Sequence, residues 1–121
     1  MPGTPSLLRL HLRYRLWIAE MNEDITVLRI FDDHLAELVR DNDEATQNFV
    51  DESKKQFEDY RKEIDELKHE MHLRKMNLAA ITRGEGGVSD VSAEDHQDLQ
   101  DRYFAFRDKF DRAKEAFIGF K

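Results

Sequence analysis

The chain contains no cysteine. That absence excludes a disulfide scaffold, a thiolate metal centre and a cysteine nucleophile, and it fits a cytoplasmic, bacterial setting. Proline is nearly as scarce: Pro2 and Pro5 are the only two, both ahead of Ser6. Glycine is confined to Gly3, Gly84, Gly86, Gly87 and Gly119, so nothing between Ser6 and Arg83 breaks a helix. No apolar run approaches the roughly 20 residues that span a bilayer. The opening Met1-Pro2-Gly3-Thr4-Pro5 lacks the charged-then-apolar order of a secretion signal.

What the sequence has is charge, and bulky apolar residues at regular spacing. Of 121 residues, 37% are charged and 40% hydrophobic, with a formal net charge of −7. Charge at this level opposes folding unless the apolar residues can gather into a core. Here they recur with a helical period, and the length suits one domain.

The apolar series divides into three. From Ser6, a good N-cap, the positions Leu7, Leu10, Tyr14, Trp17, Met21, Leu28, Phe31, Leu35 and Leu38 step alternately by three and four, interrupted only where Asp24 takes the place between Met21 and Leu28. That is the a/d seam of a heptad. The alternation of Leu8 to Ile18 with Arg9, His11, Arg13 and Arg15 also admits a strand, but the heptad carries one phase through to Leu38 and the strand pattern does not. A second seam runs Val50, Ser53, Phe57, Tyr60, Ile64, Leu67, Met71, Arg74, Leu78 and Ile81, one residue out of phase with the first. The slip falls on Asp41-Asn42-Asp43-Glu44, residues suited to a turn and a helix start. A single continuous helix stays open there, since no breaker forces a stop. The glycine loop around 84–87 ends the second seam. A third, led by Ser92 and Asp95 as a capping box, runs His96, Leu99, Tyr103, Phe106, Phe110, Ala113, Phe117 and Phe120.

The expected architecture is therefore all-α. It is one domain over 1–121, an up-down-up antiparallel three-helix bundle with coiled-coil packing. Its helices span 6–40, 44–82 and 92–120, with a glycine-rich loop at 83–91.

Two resemblances attach to these residues. Leu16-Trp17-Ile18-Ala19-Glu20-Met21 resembles the first helix of a spectrin repeat, a likeness of architecture. Over most of its length the chain is similar to a group of small uncharacterised bacterial helical coiled-coil proteins. The stretches that carry this are Leu16-Trp17, Glu20 to Ile25, Ile64 to His69 and Phe106 to Phe120. The resemblance implies a helical fold and a cytoplasmic setting, and no activity.

Enzymatic signatures are missing. A di-iron bundle needs two Glu-x-x-His motifs and two further inward carboxylates. Only Glu66-x-x-His69 is present, and with Leu67 at d it falls on the outer face. Helix neighbours His69 and His72 offer at most an adventitious metal contact. The glycine loop lacks the Gly-Lys-Ser/Thr ending of a phosphate cradle. No cofactor is expected. The alternative from that class is a carboxylate/histidine metal site using Glu20, Asp24 and His96. Net acidity argues against nucleic acid.

Two groups of residues invite a role. Asp24 and Arg74 stand at d positions, where a lone buried charge is costly and a partner is required. Folding the chain about residues 42–43 places Arg61 opposite Asp24, and the second loop then adds Lys114. Either pair would fix helix register. Leu8, Leu12 and Leu16 form a second apolar stripe off the seam, extended by Ile30 and flanked by Arg9, Arg13 and Arg15. Exposed patches of that kind mark interfaces. The expected function is a non-enzymatic interaction or scaffolding module. Its first expected partner is a second copy of itself, then another protein, and last an anionic membrane surface met by the basic N-terminal helix.

Overall fold

The computed structural model describes residues 7–82 and 93–120, apart from the side chains at 81–82 and 93–95. The Ser6 cap, the glycine loop and the Ser92–Asp95 box lie outside the described residues. The described chain is all-helical: α1 is Leu7–Leu38, α2 is Glu44–Thr82 and α3 is Ala93–Ile118. Together they form a three-helix bundle.

The acidic stretch does end the first helix. Past Leu38 the chain closes with Arg40 N donating to Glu37 O at 3.2 Å and Asp41 N to Leu38 O at 2.9 Å. Asp43 then caps α2: its Oδ2 accepts from the backbone N of Thr46 at 3.3 Å and from the Thr46 hydroxyl at 3.0 Å. This satisfies a donor that a helix start leaves open, which is why aspartate is favoured there. The Gln47 amide reaches back to Val39 O at 3.1 Å and to Asp41 O, covering carbonyls at the end of α1.

Burial follows the spacing of bulky residues. On α1, Tyr14, Met21, Leu28 and Leu35 are buried at intervals of seven, joined by Ile18 and Asp24. On α2 the buried set is Thr46, Val50, Ser53, Phe57, Tyr60, Ile64, Leu67, Met71 and Leu78; on α3 it is His96, Leu99, Tyr103, Phe106, Phe110 and Phe117.

The core is graded in chemistry along its length. Beside the α1–α2 turn, Phe117 is the hub of a phenylalanine cluster. It stacks on Phe31 (4.3 Å between centroids) and Phe49 (5.4 Å) and meets Phe57 edge-on at 5.3 Å. Phe120 lies flat on Phe49 at 3.7 Å. In the middle, Phe106 and Phe110 stack at 5.5 Å with the Tyr60 ring against both. At the far end the aromatic residues carry polar atoms: Tyr14, Trp17, His96 and Tyr103. Two cross-links tie α2 to α3, Glu63 to Lys109 at 2.6 Å and Glu70 to Arg102 at 2.7 Å.

Candidate functional site

Two features stand apart from ordinary core: a buried polar cluster between α1 and α3, and the apolar stripe on α1.

The cluster centres on Asp24, only 3% exposed. Its partner is neither Arg61 nor Lys114. Arg107 holds it with a two-pronged grip, Nη1 donating to Oδ1 at 3.1 Å and Nη2 to Oδ2. Arg61 instead pairs with Asp32, eight residues further along α1 and near the surface. Lys114 sits 3.6 Å from Asp111 on its own helix. Arg61 therefore meets α1 eight residues nearer the turn than a fold centred on 42–43 places it. The α1–α3 contact follows its own offset: Asp24 meets the residue 83 positions on, as does Glu20.

Arg107 is half-buried and well supplied. Its Nη2 donates to the Tyr103 hydroxyl at 3.2 Å and its Nη1 to Asp111 at 3.4 Å. Its Nε lies 3.6 Å from Glu20 Oε1, an ion-pair contact longer than a hydrogen bond. The guanidinium rests 5.5 Å from the Tyr103 ring centre. Burial opposes its charge, but the bonds to Asp24 and Tyr103 outweigh that and hold its pKa above the usual guanidinium value. The Tyr103 hydroxyl donates to Glu20, and its ring stacks on Trp17 at 5.1 Å. About two turns further out, the Tyr14 hydroxyl and His96 Nδ1 share a buried hydrogen bond. Arg74, the second polar seam residue, is half-buried, and its charge acts on Tyr14.

This arrangement also separates the groups a metal site would need. Glu20 and Asp24 are engaged by Tyr103 and Arg107, while His96 is turned to Tyr14. Among the described residues no three His, Asp or Glu side chains converge into a metal-holding group. Glu66, His69 and His72 are exposed on α2.

Burial has a measurable consequence for the tyrosines. It raises the Tyr14 pKa to about 12, partly offset by Arg74. It also raises Tyr103, helped by the bond to Glu20, and Tyr60. A tyrosine whose pKa is higher in the folded state stays neutral there after the unfolded chain has ionised. Its contribution is complete below the ordinary value near 10 and is lost as pH climbs through the folded value. Stability should therefore fall between pH 10 and 12, by ~1.4 kcal/mol per pH unit for Tyr14. Tyr14→Phe should blunt that fall. Denaturant melts at about pH 9 and about pH 11 test it, and equal midpoints would count against the burial argument.

The stripe is where the sequence places it. Leu8, Leu12 and Leu16 are 67%, 49% and 59% exposed, and Ile30 is 59% exposed. Arg9 and Arg15 are exposed beside them; Arg13 is half-buried. Leu73 and Met76 on α2 and Phe104 on α3 are also exposed, and Phe104 meets the Trp17 ring edge-on at 5.6 Å. At the turn end, Asp32, Leu35 and Ala36 of α1, with Val39 just past its end and Lys54, Glu58 and Arg61 of α2, line an open groove of about 650 Å³.

No family model, curated protein or solved structure matches the chain. The site is therefore read from its own geometry. Among the described residues no helix is long and apolar enough to cross a membrane.

Arg107 is the residue that sequence reasoning missed. It stands at an e position beside the seam residue Phe106, where arginine is ordinary on a helix flank. A signal did exist: Phe106 and Phe110 leave it on the margin of the core, and Asp24 required a cation long enough to reach inward from such a margin.

Proposed function

We propose that the protein is a non-enzymatic interaction module that associates with itself through the first half of α1. The observation that carries this reading is the exposure of Leu8, Leu12 and Leu16, a helical row of large apolar side chains that the intramolecular core does not use. Burying one such leucine contributes about 1.5–3 kcal/mol. Three together offset part of the association cost of about 4–15 kcal/mol, which implies weak to moderate affinity.

The same reading takes the bundle as up-down-up with heptad packing. Its support is the order of the contacts. Tyr14, Glu20 and Asp24 meet His96, Tyr103 and Arg107 in ascending order on both helices. Glu63 and Glu70 meet Lys109 and Arg102 in opposite order. The polar cluster enters as a register device. Asp24, Tyr103 and Arg107 bond one another at the α1–α3 contact, with the exposed Glu20 at its edge, and a polar contact on a seam costs least in one alignment. A cytoplasmic setting belongs to the same proposal and rests on the cysteine-free sequence.

Sedimentation of the wild type and of Leu8→Ser/Leu12→Ser/Leu16→Ser tests the function. The wild type should sediment as a dimer at high micromolar concentration and the variant as a monomer with its melt nearly unchanged. A monomeric wild type would sink self-association. A second protein partner is the next reading and an anionic vesicle surface the last, and vesicle flotation separates the two.

A further inference from the structure

α1 has a second face, turned away from its buried one. With Asp24 at d, the outer c and f positions run from Arg9 through Leu12, Leu16, Ala19, Glu23, Thr26 and Ile30 to Asp33, in steps of three and four. All of them are exposed. That is the spacing of a heptad seam, and the bundle does not use it: the buried residues Tyr14, Met21, Leu28 and Leu35 lie on the opposite side of the helix. The two ends of the outer face differ in charge. Residues 7–19 hold Arg9, Arg13 and Arg15 with no acid, whereas the outer side towards the turn holds Glu23, Asp33 and Glu37 against Arg29.

We propose that a second copy covers this outer face, in a closed two-fold dimer whose α1 helices run antiparallel with Leu12 of one copy over Ile30 of the other. The inference rests on the self-association reading and specifies its geometry. Reversing one helix aligns the steps of three and four so that c positions meet f positions. The same register therefore sets Leu16 against Thr26 and Arg9 against Asp33 of the second copy, with Leu8 on the flank. The two-fold axis crosses between Ala19 and Glu23, and each contact occurs twice. Other registers are less favourable. Sliding by one heptad either way puts Leu12 on Glu23 or Glu37, where it would strip a carboxylate of water. A parallel pair sets Arg9 on Arg9, and an antiparallel pair centred on Leu12 sets Arg9 on Arg15; like charges at a contact are unfavourable. The favoured register carries a cost of its own. The two Glu23 residues come within about one helical turn of each other beside the axis, and Arg15 nears Arg29 on the exposed flank.

The test is sedimentation of full-length variants, each checked by circular dichroism for unchanged helix content. Arg9→Glu should dimerise about tenfold more weakly than the wild type, because both ends of the contact then face like charge with like. Arg9→Glu/Asp33→Lys should restore the dimer, since the exchanged charges meet again. Glu23→Gln should tighten it by removing the repulsion beside the axis. As a second readout, the cysteine-free background allows Leu12→Cys and Ile30→Cys to be mixed and oxidised. The mixture should cross-link between copies. Leu12→Cys alone should not, because the register keeps the two Leu12 positions about 27 Å apart along the helix. If the wild type is a dimer but the double variant stays as weak as Arg9→Glu, Glu23→Gln fails to tighten it, or Leu12→Cys cross-links to itself, this register is overturned while self-association stands. If the wild type is a monomer at high micromolar concentration, both fall.

Discussion

Arg107→Met should destabilise the protein by about 3–5 kcal/mol, whereas Asp24→Leu should cost far less. The asymmetry comes from what each change leaves behind. Without Arg107, the Asp24 carboxylate stays almost wholly out of water with both oxygens stripped of their donors. A buried charge in that condition must be neutralised or the helices must part. Without Asp24, Arg107 keeps Tyr103, Asp111 and the nearby Glu20. Its side chain is 18% exposed, so its head can turn towards water while its stem covers the core.

The double variant Asp24→Leu/Arg107→Met should recover most of the loss and end near the wild type, since replacing a buried ion pair by apolar side chains is often neutral or stabilising. Denaturant melts of the two single variants and the double close the cycle and give the coupling directly. Arg61→Met is the control: its pair with Asp32 is about 40% exposed on both sides, and such pairs contribute about 1 kcal/mol or less. An Arg107→Met protein as stable as the Arg61→Met control would mean that Asp24 is not held as a buried ion.

The contrast between these two arginines shows what the sequence makes legible. Three helical segments can be read because helix breakers are confined to the first five residues, the loop near 84–87 and Gly119, and because bulky residues recur at three and four. The end of α1 can be read because Asp41 and Asp43 have local work to do, one in a turn and the other as a cap. Asp24 can be recognised as buried because it interrupts an apolar series. Its partner cannot be found the same way. Folding the chain on paper carries any error in one link into the next helix. A two-residue shift moves a partner from one side of a helix to the other, since each residue turns the chain by about 100°. The bond between Tyr14 and His96 and that between Glu20 and Tyr103 depend on the same α1–α3 offset, and they stay hidden for the same reason. The leucine stripe is different. It is defined within one helix by its own spacing, and no long-range register is needed to see that it lies off the seam.

Phe106→Ala should cost about 3–5 kcal/mol, while Phe104→Ala, two residues away, should cost less than about 1 kcal/mol. Both are phenylalanines on α3, so composition and helix propensity do not distinguish them. Their surroundings do. Phe106 is fully buried, stacks on Phe110 at 5.5 Å, meets the Tyr60 ring and lies under the Arg107 guanidinium at 5.8 Å. Truncation there removes the transfer free energy of a ring and leaves a hole between α2 and α3 that close-packed neighbours fill only in part. It also withdraws apolar support from the base of Arg107, so the grip on Asp24 should loosen with it. Phe104 is half exposed and touches Trp17 only by an edge, so its loss removes little contact. Equilibrium denaturation of the two variants measures the gap. Combining Phe106→Ala with Asp24→Leu carries the argument further: if the cavity acts partly through Arg107, the double variant should lose less than the sum of the singles. Equal costs for Phe104 and Phe106 would contradict the placement of the core on α3, and strict additivity would separate the aromatic stack from the polar cluster.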